Sequence, residues 1–384
     1  MTERWPITGV GAVASVGRTA EEIFESLCAG RTGLAPMREF TKDWYTAGEL
    51  YEIQADTKDA AGQPSTAQRA TGFLLDAVAQ ALADAGMDED LGDIPVLVGT
   101  GLRELRSVER WWRDGDPLTA AGLHFGAALR ERFNASNTHT FSNACSASLY
   151  ALSLATDLLA DEAGPEVVVV AGTDSITESM FGIADRVQSV PPGAVRPFDR
   201  NRMGTILGEG AAAVVLRRAP RDGAAPRGWV RGVGVNCDAI HATAPDAGMI
   251  AQVMRETHRR AGVAPAEIDL VMLHGTGTPA NDLGEAQAMG EVFGEDVTSP
   301  VMTAMKSMTG HTSGGSGLHS LITALGSMRT GRIAPTITLD DPMDEVETFR
   351  IVRDKEASAK VSLAQINAFG FGGINAVAIV EAAS

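Results

Sequence analysis

One cysteine and two histidines are the residues of this chain with the most informative chemistry. Cys145 stands in Ser-Asn-Ala-Cys-Ser-Ala-Ser, His274 in His-Gly-Thr-Gly-Thr-Pro and His311 in Thr-Gly-His-Thr-Ser-Gly-Gly. Each lies among small residues at what reads as a strand end, and small neighbours let a substrate approach the backbone closely. A nucleophilic thiol and two imidazoles that converge on one place indicate chemistry at a carbonyl group.

A zinc site is the competing interpretation of a cysteine with two histidines. Structural and catalytic zinc sites usually draw two ligands from one short motif, whereas the spacings here are all long. The chain has three cysteines, Cys28, Cys145 and Cys237, which are widely separated and form no CxxC pair. We therefore predict neither a metal site nor a disulfide framework, and we expect a reducing, cytoplasmic environment.

The predicted nucleophile lies between a strand and a helix. Residues 137–141 form a β-like run, and an apolar helical pattern covers residues 146–160. A thiol at the start of a helix is close to backbone N–H groups and to the positive end of the helix dipole. We therefore expect the pKa of Cys145 to be lowered.

Short apolar runs alternate with helical patterns, such as those at residues 65–85 and 249–261, which indicates an α/β fold. The pattern also contains a faint duplication. Similar segments recur in the same order, namely residues 85–86 with 261–262, 98–101 with 274–277, 9–11 with 232–234 and 211–216 with 375–380. We predict two related α/β halves, residues 1–222 with the cysteine and 223–384 with both histidines.

Composition and charge exclude several functional classes. The 384 residues are 44% hydrophobic and include 42 glycines, which is typical of a layered α/β protein with many tight turns. The formal net charge of −17 disfavours binding to nucleic acid or anionic lipid. No apolar stretch is long enough to span a bilayer, so we predict no membrane insertion.

Together the motifs carry a family resemblance that runs nearly from end to end. The chain resembles the β-ketoacyl-(acyl carrier protein) synthases, condensing enzymes of the thiolase-like fold, and is most similar to the elongating type with a Cys-His-His site. The resemblance implies a layered α-β-α-β-α arrangement. The matching motifs are Thr-Gly-Val-Gly, Asn-Ala-Cys-Ser-Ala-Ser, Arg-Pro-Phe-Asp-Arg-Asn-Arg, Gly-Glu-Gly-Ala, His-Gly-Thr-Gly-Thr-Pro, Lys-Ser-Met-Thr-Gly-His and Asn-Ala-Phe-Gly-Phe-Gly-Gly.

The resemblance implies a reaction in two steps. Cys145 would take an acyl group from a carrier-bound thioester, with the backbone N–H groups of Cys145 and Phe371 holding the oxyanion. A malonyl-type thioester would then lose carbon dioxide, with His274 and His311 donating hydrogen bonds to the enolate oxygen. The resemblance implies no metal or organic cofactor, since the substrates are carried on the phosphopantetheine of an acyl carrier protein.

Several supporting residues match family motifs. Lys306 matches the lysine that sets the charge around the second histidine, although Ser320 stands where the family usually has a glutamate, which is expected to leave Lys306 without its usual partner. Thr276 and Thr278 match threonines that hydrogen-bond the pantetheine arm. Phe371 matches a gating phenylalanine at the acyl pocket.

The resemblance also bears on partners. Arg69 and Arg186 lie where family members carry basic residues that dock the acidic carrier protein. The expected assembly is a homodimer or a heterodimer with a ketosynthase-like partner. We predict decarboxylative condensation in fatty acid or polyketide biosynthesis. The alternatives are an acyltransferase that passes an acyl group from Cys145 to an alcohol, amine or water, and a non-catalytic chain-length or scaffold subunit.

Overall fold

The structure is a computed structural model that describes residues 3–39, 42–54, 68–187, 190–220, 223 and 225–383. Within these ranges the helices are α1 Ala20–Cys28, α2 Arg69–Asp84, α3 Leu105–Asp114, α4 Phe125–Phe133, α5 Ala147–Ala160, α6 Glu178–Val187, α7 Ala247–Ala261, α8 Pro279–Phe293, α9 Lys306–Thr309 and α10 Ser316–Thr330. The strands are β1 Trp5–Ala14, β2 Ala35–Pro36, β3 Glu49–Leu50, β4 Val96–Gly99, β5 Thr138–Phe141, β6 Val167–Asp174, β7 Gly210–Arg217, β8 Gly228–Cys237, β9 Leu270–Met272, β10 Val301–Thr303, β11 Arg332–Ile333, β12 Arg350–Ile351, β13 Ala357–Ser358, β14 Leu363–Gly370 and β15 Ile374–Ala382.

The main sheet repeats one strand pattern twice. Its order is β12-β10-β9-β14-β15-β8-β1-β7-β6-β4-β5, and the two parts join where β1 pairs with β8. In the first part β4 runs parallel to β5 and β6, and β7 is antiparallel to β6 and β1. In the second part β9 runs parallel to β10 and β14, and β15 is antiparallel to β14 and β8. The two parts are therefore arranged alike around the β1–β8 pair.

Alternating side chains of the strands pack into different layers. On β7, Ala212, Val214 and Leu216 face a central core with α5 and α10, whereas Ala211 and Val215 face α2. On β15, even-numbered apolar residues enter the same central core and odd-numbered ones face α7 and α8. Strands buried on both faces read as continuous apolar runs. The α5 and α10 helices thus lie between the two parts of the sheet, and the predicted α-β-α-β-α layering is confirmed.

The repeated sequence segments fall on corresponding strands. Residues 9–11 lie in β1 and 232–234 in β8, which are neighbours at the junction of the two parts. Residues 211–216 lie in β7 and 375–380 in β15. The proposed boundary falls at residue 222, which lies outside the described residues together with 221 and 224, so the division into domains stays a prediction.

The predicted helices are present with shifted ends. The helix expected over residues 65–85 is α2, Arg69–Asp84, and residues 65–67 lie outside the described residues. The helix expected over 249–261 is α7, which begins two residues earlier because the Asp246 side chain accepts a hydrogen bond from the Met249 amide as an N-cap. In the described part of the chain, no helix has the length and apolar character needed to cross a membrane.

Candidate active site

The two parts of the sheet bring the predicted trio together. Cys145 follows β5, His274 follows β9, and His311 follows β10 and the short helix α9. These strands are parallel to their neighbours, so the connecting turns emerge at the carboxyl ends where ligands bind in α/β sheets. The Nε2 atom of His311 lies 3.0 Å from the sulfur of Cys145, and the two imidazole ring centroids are 5.4 Å apart.

The Cys145 backbone forms a short 3-10 turn, Ala144–Ser146, before α5 begins at Ala147. The backbone N–H groups of Cys145 and Phe371 both donate hydrogen bonds to the sulfur. These bonds and the charge of Lys306 lower the pKa, but burial acts more strongly and raises the pKa of the thiol to about 11. The predicted lowering of the Cys145 pKa is therefore wrong, because loss of solvation outweighs the dipoles at the helix start.

Hydrogen bonds determine which nitrogen of His311 carries its proton. The backbone N–H of Ser313 donates to Nδ1 of His311 over 3.2 Å, so Nδ1 must be an acceptor. Burial, and then the charge of Lys306, hold the pKa of His311 well below its usual range. The ring is consequently neutral, and Nε2 presents an N–H donor towards Cys145.

His274 is held in the same tautomer by a different partner. The Nζ atom of Lys306 lies 3.2 Å from Nδ1 of His274 and also donates to the His274 carbonyl oxygen. An ammonium has donors only, so Nδ1 accepts and Nε2 carries the hydrogen. Burial lowers the pKa of His274 well below its usual range, and the charges of Lys306 and His311 add to this effect.

Two threonines follow His274 in the same turn. The hydroxyl oxygens of Thr276 and Thr278 are 2.8 Å apart, in the turn between β9 and α8. The turn is held by the buried carboxylate of Asp282, which accepts from the backbone N–H groups of Thr276 and Gly277. Both hydroxyls are thus on one rigid turn, although their contact with a pantetheine arm stays a prediction.

Comparison with known proteins identifies the family of this chain. The family model "Beta-ketoacyl synthase, N-terminal domain" matches residues 3–221, and "Beta-ketoacyl synthase, C-terminal domain" matches residues 227–340. The chain belongs to the β-ketoacyl synthase family. The predicted family and the predicted class of enzyme, a condensing acyltransferase, are confirmed.

Curated relatives of this β-ketoacyl synthase match over almost their whole length. The 3-oxoacyl-[acyl-carrier-protein] synthase 2 of Coxiella burnetii is 28% identical over 408 residues, which cover 98% of this chain and 97% of that protein. The enzyme of the same name from Rhizobium meliloti is 30% identical, with 98% of each chain covered. The solved structure described as "The ishigamide ketosynthase/chain length factor" has a TM-score of 0.89 and 29% identity, with both chains fully covered.

A buried carboxylate that sequence reasoning missed acts on the charge of Lys306 in this synthase. Burial lowers the pKa of Lys306, and the carboxylate of Glu285 acts against that lowering more than any other charge. Ser320 does not take this place, because its hydroxyl points to the sulfur of Met305 at 3.6 Å. Ser320 therefore does not replace the usual glutamate, and Glu285 on α8 is the carboxylate whose charge acts most strongly on Lys306.

Glu285 also supports the first histidine. Its two oxygens accept from the backbone N–H groups of His274 at 2.7 Å and Gly275 at 2.9 Å. Burial raises the pKa of Glu285, while these bonds and one from Asn367 oppose the rise. The acidic position in Asn-Asp-Leu-Gly-Glu, eleven residues after His274, was the available signal, because a carboxylate in an otherwise buried helix needs a partner.

A chain of buried amides extends from Glu285 towards the outer helix layer. The Nε2 atom of His258 lies 2.6 Å from Oε1 of Gln365, whose amide donates to Oδ1 of Asn367 over 2.8 Å. Asn367 in turn donates to Glu285 over 2.9 Å. The hydrogen bonds from Gln365 to Asn367 and from Asn367 to Glu285 run towards the carboxylate, and the last of them favours its ionised form.

Phe371 lies in a glycine-rich turn at the mouth of the site. Its backbone N–H reaches the Cys145 sulfur, while the residue is 52% exposed. Gly372 and Gly373 follow with φ of 83° and 72°, and a Cβ on Gly373 would overlap the carboxylate of Asp238. Only glycine fits there without strain. The gating movement of the side chain stays a prediction.

The two arginines predicted to dock the carrier protein have different environments. Arg69 is buried, where its guanidinium pairs with the buried carboxylate of Glu209 and lies 3.6 Å from Glu39. The docking prediction is wrong for Arg69, because its charge is already neutralised inside the protein. Arg186 is exposed in the last turn of α6 and remains a candidate.

Proposed function

We propose that this enzyme condenses an acyl group held on Cys145 with a malonyl-type thioester carried by an acyl carrier protein. The curated relatives carry the name 3-oxoacyl-[acyl-carrier-protein] synthase, which supports a carrier-bound substrate. The product is a β-ketoacyl carrier thioester, as in fatty acid or polyketide biosynthesis. The proposed reaction needs no metal or organic cofactor.

In the first step the sulfur of Cys145 attacks the thioester carbonyl carbon of the acyl carrier. The developing oxyanion lies between the N–H groups of Cys145 and Phe371, which already converge on the sulfur. The carbonyl–sulfur bond to the carrier breaks, and the departing pantetheine sulfur ends with the proton that Cys145 loses. One thiol and one thioester thus exchange partners, and an acyl-enzyme remains.

In the second step the malonyl group loses carbon dioxide. The electron pair of the breaking carbon–carbon bond forms an enolate, whose oxygen accepts hydrogen bonds from Nε2–H of His274 and of His311. The enolate carbon then attacks the acyl carbonyl, and the Cys145 sulfur leaves and takes a proton from solvent. The bonds formed and broken balance without an oxidant or reductant.

The observation that carries this proposal is the tautomer of His311. Transfer of an acyl group to an alcohol, an amine or water requires a base that accepts a proton from that nucleophile. Nε2 of His311 carries a hydrogen because Ser313 occupies Nδ1, so it faces the sulfur as a donor. Two neutral donors side by side suit an enolate oxygen.

The experiment uses the purified protein, an acyl carrier thioester and then a malonyl carrier, followed by intact-mass spectrometry. We expect Cys145 to gain the acyl mass, and malonyl carrier then to release it as a β-ketoacyl carrier with loss of carbon dioxide. The Cys145→Ala protein is the control for loading. An acyl-enzyme that forms with several chain lengths but never extends would contradict condensation, and transfer to an added amine or alcohol would indicate the acyltransferase instead.

We also propose that the enzyme works with a second ketosynthase-like chain. The solved structure with a TM-score of 0.89 is described as a ketosynthase/chain length factor, a description that names two components. Co-expression with candidate partner chains and measurement of mass in solution distinguishes a heterodimer from a homodimer.

A further inference from the structure

The buried carboxylate of Asp174 has no part in the reaction described above, yet it lies under the active site. It is the last residue of β6 and accepts four hydrogen bonds. The donors are Thr100 Oγ1 at 2.8 Å, Gly101 N at 2.7 Å, Leu102 N at 2.8 Å and Gly314 N at 2.7 Å. The four donors to this carboxylate therefore belong to two loops, the loop after β4 and the loop after His311.

The two loops meet the catalytic cysteine at this carboxylate. A Cβ placed on Gly101 would lie 3.2 Å from Oδ2 of Asp174, 3.7 Å from Cβ of Ser313 and 3.9 Å from Cα of Ala144. Ala144 precedes the nucleophile, and Ser313 donates to the second histidine. Asp174 is thus in the position where the Cys145 turn, the His311 turn and the β4 loop come together.

The backbone around Asp174 is strained. Arg103, Ala144 and Ser313 have φ of 54°, 48° and 47°, in the left-handed region that disfavours residues with a Cβ. Such conformations persist only where surrounding contacts hold them. Thr100, itself bound to Asp174, accepts from the Arg103 amide at 2.9 Å, and Asp174 binds the amide directly after Ser313.

The turn that Asp174 holds, residues 312–314, also sets the tautomer of His311. Ser313 donates its backbone N–H to Nδ1 of His311, and the next amide, that of Gly314, is bound by Asp174. Without the hydrogen bond from Gly314 to Asp174, the turn through residues 312–314 would be free to change its shape, and the Ser313 N–H would no longer be held against the ring. We propose that Asp174 is a positioning residue for condensation, which keeps His311 a donor at Nε2 by holding the turn after His311 against the loop after β4. The four hydrogen bonds that Asp174 accepts are called the latch below.

The latch needs a carboxylate rather than an amide. Gly101 and Gly314 donate to one oxygen, and Thr100 and Leu102 donate to the other. An asparagine has one side-chain oxygen, so its amide nitrogen would face two of these four donors. The Asp174→Asn substitution thus keeps the shape of the side chain and removes half of the latch.

The proposal rests on the proposed role of His311 at the enolate, so the first test separates the two reaction steps. In Asp174→Asn we expect release of carbon dioxide from malonyl carrier to fall at least about tenfold, with loading of Cys145 reduced less than about threefold. The His311→Ala protein is measured beside it. Equal loss in both steps, or no loss in either, would overturn the proposal.

A structural measurement decides the proposal even if the protein proves not to decarboxylate malonyl carrier. In a crystal structure of Asp174→Asn we expect the distance from Ser313 N to His311 Nδ1 to exceed about 3.5 Å, beyond hydrogen-bonding range. An unchanged distance of 3.2 Å would refute the latch. If only the proposed function is wrong, the wild-type enzyme will not decarboxylate malonyl carrier, but the distance from Ser313 N to His311 Nδ1 will still lengthen in Asp174→Asn.

Strain provides a third, independent test. Glycine adopts a left-handed φ at little cost, so Ser313→Gly should keep the turn in place when the latch is weakened. We expect the tenfold loss of decarboxylation caused by Asp174→Asn to shrink to about threefold or less in the Ser313→Gly background.

If Asp174→Asn does not fold, Thr100→Val is the substitute, because it removes one hydrogen-bond donor to Asp174. It should lower the rate of decarboxylation more than the rate of Cys145 loading. An equal loss in both backgrounds, or loading lost first in Thr100→Val, would contradict the proposal.

Discussion

The Nε2 atom of His311 lies 3.0 Å from the sulfur of Cys145 and faces it as a donor. In a protease-like pair the imidazole accepts the thiol proton and the two groups activate each other. Here the Ser313 amide donates to Nδ1, so Nε2 of His311 carries a hydrogen and cannot accept the thiol proton. That N–H is instead placed to donate to an oxygen of the substrate. The same atom can serve the enolate once the sulfur is acylated.

Removal of His311 should therefore affect one step selectively. In His311→Ala we expect decarboxylation of malonyl carrier to fall about 10²- to 10³-fold, the usual effect of losing one donor to an oxyanion. Loading of Cys145 should stay within about tenfold of the wild-type rate. The exposed His124→Ala serves as a control. Equal loss of both steps would mean that His311 mainly activates the thiol.

The thiol of Cys145 should react slowly at neutral pH. Because burial raises its pKa to about 11, the thiolate fraction grows about tenfold with each pH unit up to that value. Iodoacetamide labelling at pH 7 to 10, followed by peptide mapping to separate Cys145 from the exposed Cys237, measures this slope. A plateau reached below pH 8 would show that the helix start and the two N–H groups outweigh burial.

The two arginines should respond differently to substitution. Arg69→Met leaves the buried Glu209 without its positively charged partner, and we expect a loss of about 3–5 kcal/mol in the free energy of unfolding. Arg186→Glu should leave stability within about 0.5 kcal/mol, because its side chain is exposed. Urea unfolding of both proteins tests this contrast.

If Arg186 docks the carrier, Arg186→Glu should raise KM for the acyl carrier about fivefold or more. KM for a short acyl-pantetheine thioester, which lacks the carrier surface, should not change. Arg259→Glu, on the exposed face of α7, is the matched charge reversal. The same KM rise in both variants would indicate a general charge effect rather than a docking site.

His319 should make the fold sensitive to acid. Its buried Nε2 has no hydrogen-bond partner in the described structure, and burial lowers its pKa from 6.5 to about 4. Between these values the unfolded chain binds a proton that the folded chain does not, so stability is lost as pH falls through this window. From pH 7 to pH 5 this histidine should contribute a loss of about 2 kcal/mol.

The His319→Leu protein tests that assignment. At pH 7 we expect it to be about 1 kcal/mol more stable than the wild type, because an unpaired buried nitrogen is removed. The difference should grow by about 2 kcal/mol at pH 5, where only the wild type must exclude a proton. Urea unfolding at both pH values gives the comparison, and a difference independent of pH would show that His319 is solvated in the folded state.

Some of this protein could be read from local patterns. Small residues around Cys145, His274 and His311 mark tight turns, apolar runs mark strands buried on both faces, and the ordered motifs indicate the family. These features depend on neighbours along the chain, which the sequence contains directly. The α/β layering and the composition of the catalytic trio followed from them.

The remaining properties depend on residues that are distant in sequence. The direction of the Cys145 pKa shift was wrong because burial comes from the whole fold, and Arg69 was misplaced because its partner Glu209 is 140 positions away. Asp174 likewise binds loops of both parts of the sheet, at Gly101 and Gly314, and Glu285 binds Asn367, which is 82 positions away. The tautomer of His311 comes from the shape of the turn that places the Ser313 N–H against its ring. The sequence by itself determined which groups form the candidate site, whereas the tertiary structure decided their charge and which atom donates, because solvation and hydrogen-bond partners exist only once the chain is folded.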